Sequence, residues 1–600
     1  MLQASQRIEL QTNSAADLLG VAQRLQAALL KYADVAWSIA AAAPSSTSDA
    51  CIILRIGPEL AAHQQGYGLR VTPTQIVVEA TTPAGIFYGV CTLSQLLLQA
   101  GRALPCLHIA DWPDFAVRGV MLDVSRDKVP TMATLYELVD LLASWKINQL
   151  QLYTEHTFAY RQHGIVWANA SPFKGEEILE LDRFCAERFI ELVPNQNTFG
   201  HMERWLVHEP YAALAETHEL FATPWGVKMQ GPFSLCPLDP GSQGLVHGLF
   251  DELLPHFSSR LFNIGGDETF DVGQGRSRDV VAEQGAGRVY LNYLLKTYEA
   301  VKARGRTMQF WGDIIIQHPD LIRELPPDVI ALEWGYEADH PFATTSPQYA
   351  DSGLPFYVCP GTSSWCSLAG RTDNALANLA SAAASGLDSG AIGYLITDWG
   401  DRGHWQMLPV SYLGFVAGAA YAWAWNENHD LDIAQAVSLY AFRDPTGSMG
   451  RVAVELGNIY RIPGLAVPNG SALFWMLQHT FDELAQRPRK VPEPHSFQTA
   501  LTSIDQALRP LVAARMQRND ASLVIREYEF TARLMRHACH RGLLATDPTR
   551  RNNAVARREL DADLQAIIQE YQELWLARNR RGGLADSVAR LQRGRVDYQA

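Results

Sequence analysis

The chain has 600 residues, 47% hydrophobic and 19% charged; this is an ordinary globular composition, too long for one core, and implies two to four domains. Its net charge of -14 leaves no basic excess to neutralise phosphates, which argues against nucleic acid or an anionic membrane as partner. The eight cysteines form no Cys-x-x-Cys pair, no run of about 18 apolar residues is present, and Met1–Gln6 shows no basic region followed by an apolar one, so a cytoplasmic protein without a zinc-ribbon or thioredoxin-like centre is expected.

In chain order, residues 1–112 predict a helix over Ala15–Leu30, a short buried strand over Cys51–Ile56 and a hairpin-like pair over Gly68–Ala80 around Thr72-Pro73-Thr74. A helix over Thr82–Leu98 follows, opened by its Thr-Pro start signal. This is a small α+β domain with no obvious chemistry. From Arg118 to about Ala422 the pattern is strand then helix. The strand candidates are Gly119–Val124, Gln149–Tyr153, Phe189–Pro194, Leu261–Ile264, Met308–Trp311, Val329–Trp334, Phe356–Val358 and Ala391–Thr397. Repeated βα units over this length fit an α/β fold with a (β/α)8 TIM barrel over 113–430 better than an open sheet. Residues 431–600 read as helical. Leu560, Leu564, Ile567, Ile568, Tyr571, Leu574 and Trp575 share one face at 3- and 4-residue spacing, which makes Trp575 a core residue. The Arg-rich segment Arg533 to Arg595 is interleaved with acids and reads as a solvated helical face.

In such a barrel, catalysis belongs to the C-terminal ends of the strands. Asp123, Glu155 with His156, His201, Asp267 with Glu268, Trp311 with Asp313, Glu333 with Trp334, Trp365, and Trp399 with Asp401 all fall there. The most informative stretch is Asn263-Ile264-Gly265-Gly266-Asp267-Glu268-Thr269, a buried strand that ends in two glycines and two adjacent carboxylates. Glycines let the backbone approach a ligand closely. Burial and mutual repulsion can separate the pKa values of neighbouring carboxyls, so that one keeps a proton while the other is ionised. That is equipment for cleaving a glycosidic bond. Standing alone, a Gly-Gly-Asp-Glu turn would more simply be a solvated acidic loop.

The chain resembles glycoside hydrolase family 20, the β-N-acetylhexosaminidases, over residues 50 to 425. The segments Gly66–Val71, Ala84–Val90 and Thr92–Leu96 are similar to the non-catalytic domain that precedes the barrel in that family. Arg118-Gly119-Val120-Met121-Leu122-Asp123-Val124-Ser125-Arg126 resembles its first barrel strand, and Gly265-Gly266-Asp267-Glu268 its catalytic pair. Thr198-Phe199-Gly200-His201-Met202 looks more like the hexosaminidase D type than the lysosomal enzymes.

The resemblance implies that Glu268 is the general acid/base and that Asp267 orients the substrate's 2-acetamido group, whose carbonyl oxygen is the nucleophile. It further implies Arg118 on sugar hydroxyls, with a structural salt bridge at the domain junction as the alternative. Glu155 and His201 would form a pair buttressing the acid, although the family's turn usually carries Asp where Glu155 stands. Trp311, Trp334 and Trp399 would be the aromatic walls, with Trp365 along the same side. Asp401 takes the place of the family's Glu on the outer hydroxyls. Tyr357 is the nearest candidate for the tyrosine that steadies the acetamido oxygen. The implied function is a retaining exo-β-N-acetylhexosaminidase acting on glycans or glycoconjugates ending in GlcNAc or GalNAc, with no metal or organic cofactor. Two rivals stay open. One is a retaining β-glycosidase with a separate carboxylate nucleophile such as Glu333, which the adjacency of Asp267 and Glu268 disfavours. The other is a catalytically silent sugar-binding protein, which the intact pair disfavours.

Overall fold

The computed structural model describes residues 6–43, 49, 51–57, 63–486 and 491–599; residues 1–5, read above for a leader, lie outside these. The N-terminal region is a six-stranded sheet of β1 (Arg7–Gln11), β2 (Ser38–Ala42), β3 (Ile52–Ile56), β4 (Tyr67–Val71), β5 (Ile76–Ala80) and β6 (Leu107–Asp111), in the order β2-β1-β3-β5-β4-β6. Helices Ala16–Ala33 and Pro83–Ala100 accompany it. The second starts as its sequence dictates: Thr82 Oγ1 accepts from Gly85 N at 3.1 Å, and Pro83 fills the first helical position, where its missing N–H costs nothing. Strand β2, Ser-Ile-Ala-Ala-Ala, has little strand propensity beyond Ile39. It is a strand because it pairs in parallel with β1.

The second sheet is the expected barrel. Its strands are β7 (Val117–Asp123), β8 (Gln149–Tyr153), β9 (Glu191–Val193), β12 (Leu261–Asn263), β13 (Thr307–Trp311), β14 (Ile330–Trp334), β15 (Phe356–Cys359) and β16 (Gly393–Asp398). All neighbours are parallel. A bridge between Asn195 and Asn263 joins β9 to β12 and closes the ring. Each predicted strand is present, with its ends moved by two residues at most. Between β9 and β12 the connection carries a hairpin, β10 (Leu220–Ala222) and β11 (Lys228–Gln230).

The barrel interior is polar beneath the turn that follows β12. Gln151 Nε2 donates to Gln309 Oε1 at 2.9 Å, and Asn263 Nδ2 donates to Gln151 Oε1 at 2.9 Å. Asn263 Oδ1 then accepts from Gly265 N at 3.0 Å. A network whose members hold one another in this way fixes the turn above it more sharply than apolar packing can.

The C-terminal helices brace the mouth from the side. Helix Ala554–Arg578 places Tyr571 and Trp575, both 0% exposed, against the ammonium of Lys128 at 6.0 and 5.4 Å from the ring centres. Burial brings this lysine down to about 7. Lys128 Nζ donates to Gln406 O at 2.7 Å, and Gln406 Nε2 donates to Trp399 O at 2.7 Å. The segments after β7 and β16 are thereby tied to helices far away in sequence. A fragment covering 113–430 would lose these partners and expose large apolar faces, so it is expected to aggregate; a soluble fragment with full activity would show that the flanking regions are dispensable.

Candidate active site

The turn after β12 is built by backbone constraint. Gly265 and Gly266 have φ of 72° and 89°, and a Cβ on Gly265 would overlap Asn197 Oδ1. Only glycine fits. Gly200 serves the same purpose from the β9 side, since a Cβ there would overlap the carbonyl of Asp267. Tyr290 Oη donates to Gly266 O at 2.9 Å and Thr198 Oγ1 to Ile264 O at 2.9 Å. With the turn so held, Glu268 and His201 adopt φ of 52° and 56°, a region costly for residues with a Cβ and found where a site imposes it. Glu268 N donates to Asp313 Oδ2 at 3.1 Å.

The two predicted acids share one histidine. His201 Nε2 lies 3.2 Å from Asp267 Oδ2 and 3.4 Å from Glu268 Oε2. Burial disfavours its imidazolium, but the Asp267 carboxylate and the contacts to both acids outweigh burial and hold it well above the usual histidine range. The two acids differ in environment: the Asp267 side chain is 9% exposed and that of Glu268 27%. Asp313, beneath them, is pushed well above the usual carboxylate range by burial and by the neighbouring Asp267.

Arg126, just past β7, is the hub that sequence reasoning missed. Its guanidinium lies 3.2 Å from Asp123 Oδ2, 3.5 Å from Glu155 Oε1, 3.3 Å from Asp401 Oδ1 and 3.4 Å from His201 Nδ1. Its guanidinium packs on the rings of Tyr153 at 4.7 Å and Trp399 at 4.8 Å, which themselves meet edge-on at 4.6 Å. Glu155 also accepts from Tyr153 Oη at 3.0 Å, and burial raises its pKa against the pull of Arg126. Arg126, His201, Glu155 and Asp401 thus join the strand ends of β7, β8, β9 and β16 around Asp267 and Glu268.

Aromatic rings line the rest of the mouth. Trp399 is 6.1 Å from Trp311 and 6.4 Å from Tyr336, Trp334 stacks on Tyr336 at 5.2 Å, and Tyr336 meets Trp365 edge-on at 5.1 Å. Trp365 sits on a loop fixed by Asp398, which accepts from Thr362 Oγ1 and Ser364 Oγ at 2.6 Å. The indole N–H groups of Trp311 and Trp365 and Asp267 Oδ1 are buried without a hydrogen-bond partner, which is costly in a finished core and apt in a pocket for a polar ligand. Truncating Trp334 or Trp399 to Ala is expected to cost roughly 1–3 kcal/mol in kcat/KM. Unchanged kinetics with a lowered Tm would instead make these rings core plugs.

Three readings of the sequence are corrected by position. Arg118 is the second residue of β7, about 17 Å from the strand's C-terminal end at the usual rise per residue. It is buried in the barrel floor, donating to Gln65 Oε1, Phe115 O and Lys146 O at 2.8–2.9 Å and packing on the rings of Tyr88 and Trp423 at 5.3 and 4.9 Å. It seals the domain junction and does not reach the mouth. The strand-end rule applied to Arg118–Arg126 would have selected Arg126. Tyr357 faces Gly393, the first residue of β16, in the lower layer of the barrel; Tyr336 is the tyrosine among the tryptophans. Glu333 is turned away from the mouth, accepting from Thr345 Oγ1 and Ser346 Oγ of helix Phe342–Ser352, with its pKa raised by burial to about 7.

Comparison with known proteins matches residues 115–369 to "Glycosyl hydrolase family 20, catalytic domain" and residues 2–112 to "Glycosyl hydrolase family 20, domain 2". A beta-hexosaminidase of Akkermansia muciniphila is 28% identical over 290 residues, 42% of this chain and 57% of that protein. Hexosaminidase D of Homo sapiens is 27% identical over 260 residues, 40% of this chain and 50% of that protein. The chain spans about half the length of the curated relatives it matches. Among solved structures, a Flavobacterium johnsoniae chitobiase has a TM-score of 0.62 at 16% identity, covering 98% of this chain and 96% of that one; this shows a shared fold.

Proposed function

The chain belongs to glycosyl hydrolase family 20, and from that premise we propose that it is a retaining exo-β-N-acetylhexosaminidase acting on glycans or glycoconjugates with a terminal β-linked GlcNAc or GalNAc. The observation that carries this reading is the pair Asp267–Glu268 on one turn, bridged by His201. A carboxylate nucleophile must face the acid across the scissile bond at about 5–5.5 Å, and family 20 is among the substrate-assisted exceptions to that arrangement. Glu333, the nucleophile of the rival reading, is engaged outside the barrel mouth.

In the proposed reaction the acetamido carbonyl oxygen bonds to C1 as the bond from C1 to the leaving oxygen breaks. Glu268 gives its proton to that oxygen, and Asp267 accepts a hydrogen bond from the amide N–H as positive charge spreads over the forming oxazolinium ring. Water then attacks C1 as the bond from C1 to the acetamido oxygen breaks, and gives a proton to Glu268, so two inversions keep the β configuration. In this reading Arg126, with Asp401, binds ring hydroxyls in the role first given to Arg118, and Tyr336 steadies the acetamido oxygen in place of Tyr357. His201 holds the acids in register, and Glu155 is connected to it through Arg126.

A panel of chromogenic β-glycosides tests the reading. Turnover confined to sugars bearing the 2-acetamido group is expected. Equal turnover of the corresponding glucoside would favour an enzyme nucleophile, and no turnover at all a silent binding protein.

A further inference from the structure

We propose that the β10–β11 hairpin forms a binding site for the leaving sugar, with Trp225 as its platform, so that the preferred substrate carries its terminal N-acetylhexosamine on a second pyranose ring. The inference rests on the N-acetylhexosaminidase reading above and adds the group on the other side of the scissile bond.

The hairpin is attached to the catalytic residues at two places. Its buried Phe221 lies 5.9 Å from Phe233, whose ring meets His201 edge-on at 4.9 Å. On the other side, Gln274 receives a hydrogen bond from Ala222 N at 2.9 Å and donates through Nε2 to Ala222 O at 2.9 Å and Phe270 O at 2.6 Å. Phe270 stands two residues beyond Glu268, and the Trp225 ring meets it at 4.9 Å and 86°. One ring therefore separates Trp225 from the segment bearing the acid. Glu268 is also the more exposed member of the catalytic pair, so the oxygen it protonates leaves on the solvent side, where the hairpin stands.

The tip of the hairpin is built to present a ring. Thr223 N and Oγ1 both donate to Val227 O, at 3.0 and 2.6 Å, and Gly226 N donates to Thr223 O at 3.0 Å. On this pinned turn Trp225 is 56% exposed, with Leu220 and Val227 also open to solvent. The hairpin already buries Phe221 to anchor itself, so folding does not require the indole to face water. An exposed indole beside a sugar site matches the C–H face of a pyranose, and exposed Lys228, paired with Ala222 across the hairpin, adds a donor for its hydroxyls.

The test compares wild type, Trp225→Ala and Trp225→Phe on methyl N-acetyl-β-glucosaminide and on a series of disaccharides with β-1,3-, β-1,4- and β-1,6-linked terminal N-acetylglucosamine. Trp225→Ala is expected to lose about tenfold in kcat/KM on the best disaccharide and less than about twofold on the methyl glycoside, with Trp225→Phe recovering most of the difference. Equal loss on both substrates, no loss on either, or wild type that cleaves the methyl glycoside but no disaccharide would each overturn the inference. Wild type that cleaves none of these substrates would overturn the parent reading and this inference with it. Because Trp225 is at an exposed loop tip, its replacement leaves the core untouched.

Discussion

Asp267→Asn is expected to lower kcat by about 10²–10³-fold with little change in KM. In the ground state the acetamido group is neutral and an Asn can face it almost as well as an Asp. As the carbonyl oxygen attacks C1, the amide becomes cationic, and a carboxylate in a water-poor pocket gains far more from that charge than an amide can. The Asp267 side chain, 9% exposed, meets that condition. A loss confined to KM would make Asp267 a ground-state binding residue. The same substitution removes the attraction that, against burial, holds His201 well above the usual histidine range. His201 should then lose its proton at a lower pH than in wild type, which imidazole NMR resonances followed through a titration would read. A thiazoline that mimics the bicyclic intermediate should bind wild type much more tightly than substrate does. A covalent sugar–enzyme ester detected by mass spectrometry, or α-anomer as first product, would refute the substrate-assisted step.

For Glu268→Gln the expected loss is about 10²–10⁴-fold on substrates with poor leaving groups, such as alkyl glycosides, and much less on nitrophenyl glycosides, whose leaving oxygen needs little protonation. Glutamine keeps the size of the side chain and its place near His201 but has no proton to give. The contrast between leaving groups separates loss of an acid from general damage to the turn, where residue 268 sits in the left-handed region. An equal loss on both substrate types would place the acid elsewhere, and the group to examine next would be Asp313, whose Oδ2 receives the Glu268 N–H.

Legibility in the sequence followed the reach of each signal. The barrel strands were readable because each is a buried apolar run with a helix after it, and periodicity survives whatever the strand packs against. Strand β2 was not, because an alanine-rich segment acquires its conformation from its neighbour β1. Asp267, Glu268, His201, Trp311, Trp334, Trp365, Trp399, Glu155 and Asp401 come to one barrel mouth, the end that the strand-end rule selects. Arg118 and Arg126 were both visible in one motif, and strand direction separates them. Tyr357 and Tyr336 differ in depth along neighbouring strand segments, which spacing alone does not show.

The barrel, the adjacency of the two acids and the glycines that their turn requires are written in the chain itself, because these depend on residue order and local sterics. Folding in three dimensions sets which arginine lies at the mouth, which tyrosine joins the tryptophans, that Glu333 is engaged elsewhere, and that Lys128 and Gln406 connect Trp399 to the C-terminal helices. Those are contacts between residues tens to hundreds of positions apart. Closing the sheet brings opposite strands face to face, and a residue's depth along its strand then decides whether it meets the pocket or the floor.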